Sequence, residues 1–160
     1  EPLADIDRTR TEFHITGRRL DTPRFPTASG KARFHAIGLP AAPDTSGRRV
    51  RLMTVRSEGQ FNTVVYEEED VYRGQERRDV ILINPGDMRR LGLTADQPVT
   101  VRSDVGELRR RFVRPYDIRP GNALMYYPEA NVLVPRDVDP QSKTPAFKSV
   151  MVELLAEPAE

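Results

Sequence analysis

Residues 79–92 constrain the fold of this chain more than any other stretch. Val80, Ile81, Leu82 and Ile83 are consecutive apolar residues with no polar alternation, the pattern of a short strand buried on both faces. The residues that follow carry helix signals in the right places. Asn84 stands at the N-cap, Pro85 at the first helical position, Asp87 at the third, and Gly92 just past the end. A doubly covered strand running into a helix of one or two turns requires a sheet with something packed on each side.

The remainder of the chain supplies other short strands rather than long helices. Ala32, Phe34 and Ala36 alternate with polar residues over 31–37, predicting a strand after the Ser29-Gly30 turn. Residues 39–49 read as a surface loop and 66–72 as a short helix or turn closed by Gly74, with Glu67, Glu68, Glu69 and Asp70 as a solvated acidic face. Residues 99–101 and 108–113 form a hairpin across Asp104 and Gly106, residues 123–127 a further strand, and 147–155 the closing one. Prolines fill the loop between the last two. About seven short strands, one short helix and long loops predict a mainly β fold, a closed barrel or sandwich with helical decoration.

Charge and composition exclude several functions. With 25 basic against 24 acidic residues the formal net charge is +1, so no general field favours nucleic acid or an anionic membrane. Lysine is confined to Lys31, Lys143 and Lys148, and arginine supplies the remaining cations, from an arginine-coding genome or from a need for planar, multi-donor groups. The absence of cysteine excludes disulfides, thiolate-ligated metals and iron–sulfur clusters held by this chain. His14 and His35 have no partner at ligand spacing. No apolar run approaches the roughly 18 residues of a membrane span, so no membrane segment is expected and a cytoplasmic location is the expectation. The chain lacks an initiator Met and a signal-peptide pattern, and is expected to be a piece of a longer polypeptide.

Residues 50–62 combine an apolar strand with a polar loop. Val50, Leu52 and the residues around them deliver Arg56, Ser57, Gln60 and Asn62 to one place, which is how binding sites are built on rigid elements.

Several segments together resemble a known family. They are residues 26–34, Thr54-Val55-Arg56 with Gln60, Asn62 and Thr63, Asn84-Pro85-Gly86-Asp87, Leu91-Gly92-Leu93 with Val99-Thr100-Val101, Glu129-Ala130-Asn131-Val132-Leu133, and residues 143–148. In that order they are similar to the C-terminal dinucleotide-binding domain of the molybdopterin oxidoreductases, the dimethyl sulfoxide reductase superfamily. Residues 56–63 and 127–133 most resemble the formate-dehydrogenase-like alpha subunits. The resemblance covers residues 26–155 and implies a double-psi β-barrel over residues 27–158, with 1–26 an irregular linker or arm from a preceding domain. It further implies that the barrel closes over bis(molybdopterin guanine dinucleotide), with preceding domains of the same polypeptide as partners and the molybdenum ligand outside this chain.

By position, the cofactor-binding residues are then Arg56, Ser57, Gln60, Asn62, Asn84, Asp87, Asn131 and Lys148. Arginine suits bidentate contact with a pyrophosphate, and amides suit the edges of a heterocycle. Many members carry His where this chain has Gln60, which cannot titrate near neutrality. Each residue also has a structural reading. Arg56 would be a surface arginine, Gln60 and Asn62 would close a turn, Asn84 would cap a helix, and Asp87 would answer its dipole. Tyr126, Tyr127 and Phe147 read as packing. Nucleophile triads, carboxylate pairs and phosphate-loop motifs are absent, so no catalytic residue is expected in this domain. The alternative is a non-enzymatic barrel binding nucleic acid, through Arg48-Arg49 and Arg109-Arg110-Arg111, or a protein partner.

Overall fold

The computed structural model describes residues 4–14, 23–39, 41–65 and 67–158, in two units, Glu1–Ala41 and Ala42–Glu160. In the first unit the one regular element among the described residues is a single exposed turn, α1 (Ile6–Thr9). The strand predicted over 31–37 does not form. Phe34 is 98% exposed, and the described residues of 32–39 have no strand partner. Two alanines and one phenylalanine give too little apolar area to hold an extended segment against a sheet.

The second unit holds the sheet. Its elements in order are β1 (Arg49–Val55), β2 (Val80–Ile83), α2 (Pro85–Leu91), β3 (Pro98–Arg102), β4 (Glu107–Pro115), β5 (Asn122–Tyr126), the 3-10 helix η1 (Glu129–Leu133) and β6 (Val150–Ala156). The six strands close into a barrel in the order β1-β5-β2-β4-β3-β6. The β1–β5 and β2–β4 pairs are parallel, and the other four are antiparallel. The connection from β1 to β2 therefore passes over β5, and the connection from β4 to β5 passes over β2. Each connected pair has a strand of the other inserted between its legs, which makes this a double-psi β-barrel.

Alternation fixes which side chains fill it. Val50 and Leu52 of β1, Val99 and Val101 of β3, and Val150, Val152 and Leu154 of β6 point into one core with Ile81, Ile83, Ala123 and Met125. All four β2 residues are buried, as the uninterrupted apolar run predicts, because the opposite face of β2 packs in a second cluster. There Val80 and Leu82 meet Leu124 and Tyr126 outside the barrel.

Helix α2 forms as its signals predict. The Asn84 carbonyl oxygen Oδ1 accepts from the Gly86 amide at 2.7 Å, Pro85 fills the first turn, and Gly92 takes the left-handed conformation (φ 66°) that ends it. Residues 71–74 form a turn, closed by a bridge between Asp70 and Gln75. Among the described residues no helix is long and apolar enough to cross a membrane.

A cationic cleft as the candidate functional site

The parallel pairing of β1 and β5 sets Val55 beside Tyr126, so both strands release their C-terminal ends at the same rim of the barrel. The Tyr127 amide still donates to the Val55 carbonyl at 2.8 Å, and the Thr54 amide donates to the Phe147 carbonyl at 3.0 Å. Three loops are thereby tied to one rim. Between them lies a cleft of about 810 Å³. The end of β1 contributes Arg56, η1 contributes Asn131, the loop after it contributes Arg136, and the approach to β6 contributes Lys148. Arg73 enters from the β1–β2 connection. Val55, Val134, Pro135, Pro145 and Phe147 form the walls, and among the described residues no carboxylate lines the cleft.

Four cations facing one apolar-walled space give it an excess of positive charge. Arg56 lies over the Tyr127 ring, 5.2 Å from its centroid, and donates to Asn62 Oδ1 at 3.2 Å. The Lys148 amine donates to the Thr54 carbonyl. Partial burial, reinforced by the charges of Arg56 and Arg73, holds that amine below the ordinary lysine value. Arg73 donates to the Arg56 carbonyl at 3.0 Å and to Asp70 Oδ2 at 2.7 Å.

A buried polar layer supports these groups. Asp70 is wholly buried and also accepts from the Tyr126 hydroxyl at 2.7 Å. Burial pushes the Asp70 carboxyl up, but the hydrogen bonds from Arg73 and Tyr126 outweigh it and leave the group below the usual aspartate value. Burial, and then the bond to Asp70, push the Tyr126 phenol up. Arg78 is also buried. It donates to both Glu129 oxygens, to Ser57 Oγ at 2.8 Å and to the Tyr127 carbonyl at 2.6 Å, with its guanidinium 4.7 Å from the Tyr126 ring centroid. One side chain thus links the loop after β1 to the start of η1.

Of the residues singled out from sequence, Arg56, Asn131 and Lys148 line the cleft. Asn62 sits beside it as the partner of Arg56. Ser57 and Gln60 are buried and do not line it. Gln60 Oε1 accepts from the Ser57 amide at 3.4 Å, and its Nε2 donates to the Thr63 carbonyl at 3.4 Å, so it closes the turn. Asn84 and Asp87 are not brought to this cleft. Asn84 caps α2 and donates to the Ile118 carbonyl, while buried Asp87 accepts from the Gly121 amide and pairs with Arg90.

Sequence reading misses Arg73, Arg136, Arg78, Asp70 and Glu129. Asp70 is not part of a solvated face as the acidic run suggests; Tyr126, far along the chain, draws it inside. A parity signal exists for Arg78, which shares the i, i+2 face of Val80 and Leu82 and so points to the outer cluster.

Residues 50–151 match the family model described as the molydopterin dinucleotide binding domain. The chain is 41% identical over 153 residues to "Uncharacterized oxidoreductase Rv2900c" of Mycobacterium tuberculosis, and 32% identical over 154 residues to "Protein YdeP" of Escherichia coli K12. Each alignment covers 89% of this chain and 20% of the relative, so the chain spans about a fifth of the length of these relatives. Among solved structures, acetylene hydratase from Pelobacter acetylenicus superposes with a TM-score of 0.48 at 16% identity, over 66% of this chain and 18% of that one. With more than half its length matched to one family model, the chain belongs to the molydopterin dinucleotide binding domain family.

Proposed function

We propose that the cleft at the β1–β5 rim holds a phosphate-bearing portion of bis(molybdopterin guanine dinucleotide), and that this domain positions the cofactor within a larger, formate-dehydrogenase-like oxidoreductase. The donor set fits the group. Arg56, Arg73, Arg136 and Lys148 offer charge-assisted hydrogen bonds to phosphate oxygens, Asn131 offers an amide to a heterocycle edge, and the apolar walls accept its faces. When bound, the cofactor supplies the redox-active molybdenum; the chain's own residues bind, orient and exclude water.

The observation that carries the reading is the concentration of four cations, without a lining carboxylate among the described residues, at a rim built by family-matched residues. The formate-dehydrogenase-like assignment is supported by residues 56–63 and 127–133. The short span of this chain relative to its relatives supports a cofactor shared with other domains, which would also hold the metal ligand.

Arg56→Ala in the full-length oxidoreductase tests the site. Molybdenum and pterin content of the purified variant are expected to fall while the barrel stays folded, because Arg56 is exposed and outside both cores. Unchanged content would remove Arg56 from the cofactor site.

A further inference from the structure

Lysine is scarce in this chain, and its three copies sit in different surroundings. Lys31 lies in the turn after Gly30, in the first unit, and Lys143 in the loop before β6; both are exposed, and neither lines the cleft. Lys148 does, in company with Arg56, Arg73 and Arg136. Its amine is fixed at the rim by the Thr54 carbonyl, 5.3 Å from the Phe147 ring centroid, while the residue as a whole remains exposed to reagents.

We propose that Lys148 is an acylation site directed by the cleft: an acyl phosphate docks its phosphate on the neighbouring arginines and transfers its acyl group to the Lys148 amine. The arrangement supplies each requirement. Guanidinium groups bind the phosphate and stabilise the charge on the leaving group. Burial and the two arginine charges enlarge the neutral, nucleophilic fraction of the amine. A neutral amine continues to donate one N–H to Thr54 while its lone pair attacks. The lone pair forms a bond to the acyl carbon, and the bond from that carbon to the bridging oxygen breaks. Inorganic phosphate leaves with the electron pair, and the nitrogen releases one proton to solvent. No oxidant or further reactant is required.

Acylation removes one of the four cations and places an uncharged amide in the cleft, so the modified domain holds anions less well. The inference rests on the cleft being an anion site, which the proposed function also uses, but not on the identity of the cofactor.

The test treats the full chain with acetyl phosphate at neutral pH and follows acetylation at Lys31, Lys143 and Lys148 by site-resolved mass spectrometry. Lys148 is expected to react on the order of tenfold faster than the other two, the gain expected from docking beside the nucleophile. In urea the three rates should converge. Equal rates in the folded chain overturn the proposal. Acetic anhydride, an acyl donor without a phosphate, should show a much smaller preference. An equal preference with both reagents overturns phosphate docking, as does failure of excess inorganic pyrophosphate to slow Lys148 selectively. Arg56→Ala should bring the Lys148 rate towards that of Lys143, and an unchanged rate counts against the proposal. Directed acetylation with unchanged molybdenum content in the Arg56→Ala oxidoreductase would remove Arg56 from the cofactor site while leaving the acylation site standing. The reverse pair of results would remove the acylation site alone.

Discussion

Asp70 ends a run of four acidic residues and is the one of them that is buried, bonded to Arg73 on one side and Tyr126 on the other. Those bonds place its folded value below the ordinary 3.8. A depressed carboxyl contributes stability that is present above the unfolded value and is lost as pH falls through the folded one. Asp70→Asn keeps an acceptor for both partners but cannot titrate, so its urea midpoint should fall less between pH 7 and about pH 3 than that of the parent. Asp79, held down mainly by hydrogen bonds from Arg77, retains some acid sensitivity in both proteins. An identical acid limb in parent and variant would exclude Asp70 as a source of that sensitivity. The sequence does not show which acid of such a run goes inside, because the decision is made by Tyr126 in β5. Arg56 reaches the cleft together with its chain neighbours Thr54 and Val55, so a strand end read from local pattern is enough to place it there. For Arg78 the one cue is its parity with Val80 and Leu82, because the adjacent half-buried Arg77 is of the same residue type.

At the level of elements, the 3-10 helix η1 packs directly against a glycine of the β3–β4 hairpin. A Cβ on Gly106, in the β3–β4 hairpin, would lie 2.3 Å from the Val132 carbonyl oxygen. Neither group is a flexible side-chain end, so Gly106→Ala must shift either the hairpin or η1. It should cost about 1–3 kcal/mol in urea unfolding and weaken anion binding, since η1 carries Asn131 and Glu129. Gly59→Ala is the contrast. Nothing lies within 4 Å of its added Cβ, and its cost is the strain of a left-handed backbone, φ 73°, about 1 kcal/mol. Equal costs for the two would mean that the Val132 contact does not position η1. Elements with local signals are legible in the sequence. The cap, proline and terminal glycine of α2 lie within nine residues, and β2 announces itself by composition. The segment 31–37 has the alternation of a strand but not the apolar area to hold one. Strand order is not legible, because the crossing of β5 between β1 and β2 depends on which distant faces fit together.

For the molecule as a whole, the barrel is a complete body with a core, and the cleft lies at one rim of it. The β1–β2 connection exposes Phe61, Val64, Val65, Val71 and Tyr72, apolar surface that folded single domains usually keep scattered. The chain spans 20% of the length of its relatives, and on the function proposed above other domains hold the rest of the cofactor. The arginines that face the cleft are also partly committed to protein partners, Arg73 to Asp70 and the Arg56 carbonyl, and Arg56 to Asn62. An anion gains less from a cation that is already hydrogen-bonded and open to water than from one that is free and enclosed. The chain by itself should therefore bind GMP more weakly than about 1 µM, the equivalent of roughly −8 kcal/mol, in isothermal titration, and the binding should weaken further as salt is raised. Submicromolar, salt-insensitive binding would mean that the barrel holds a complete nucleotide site. The division of the cofactor among domains would then have to be abandoned.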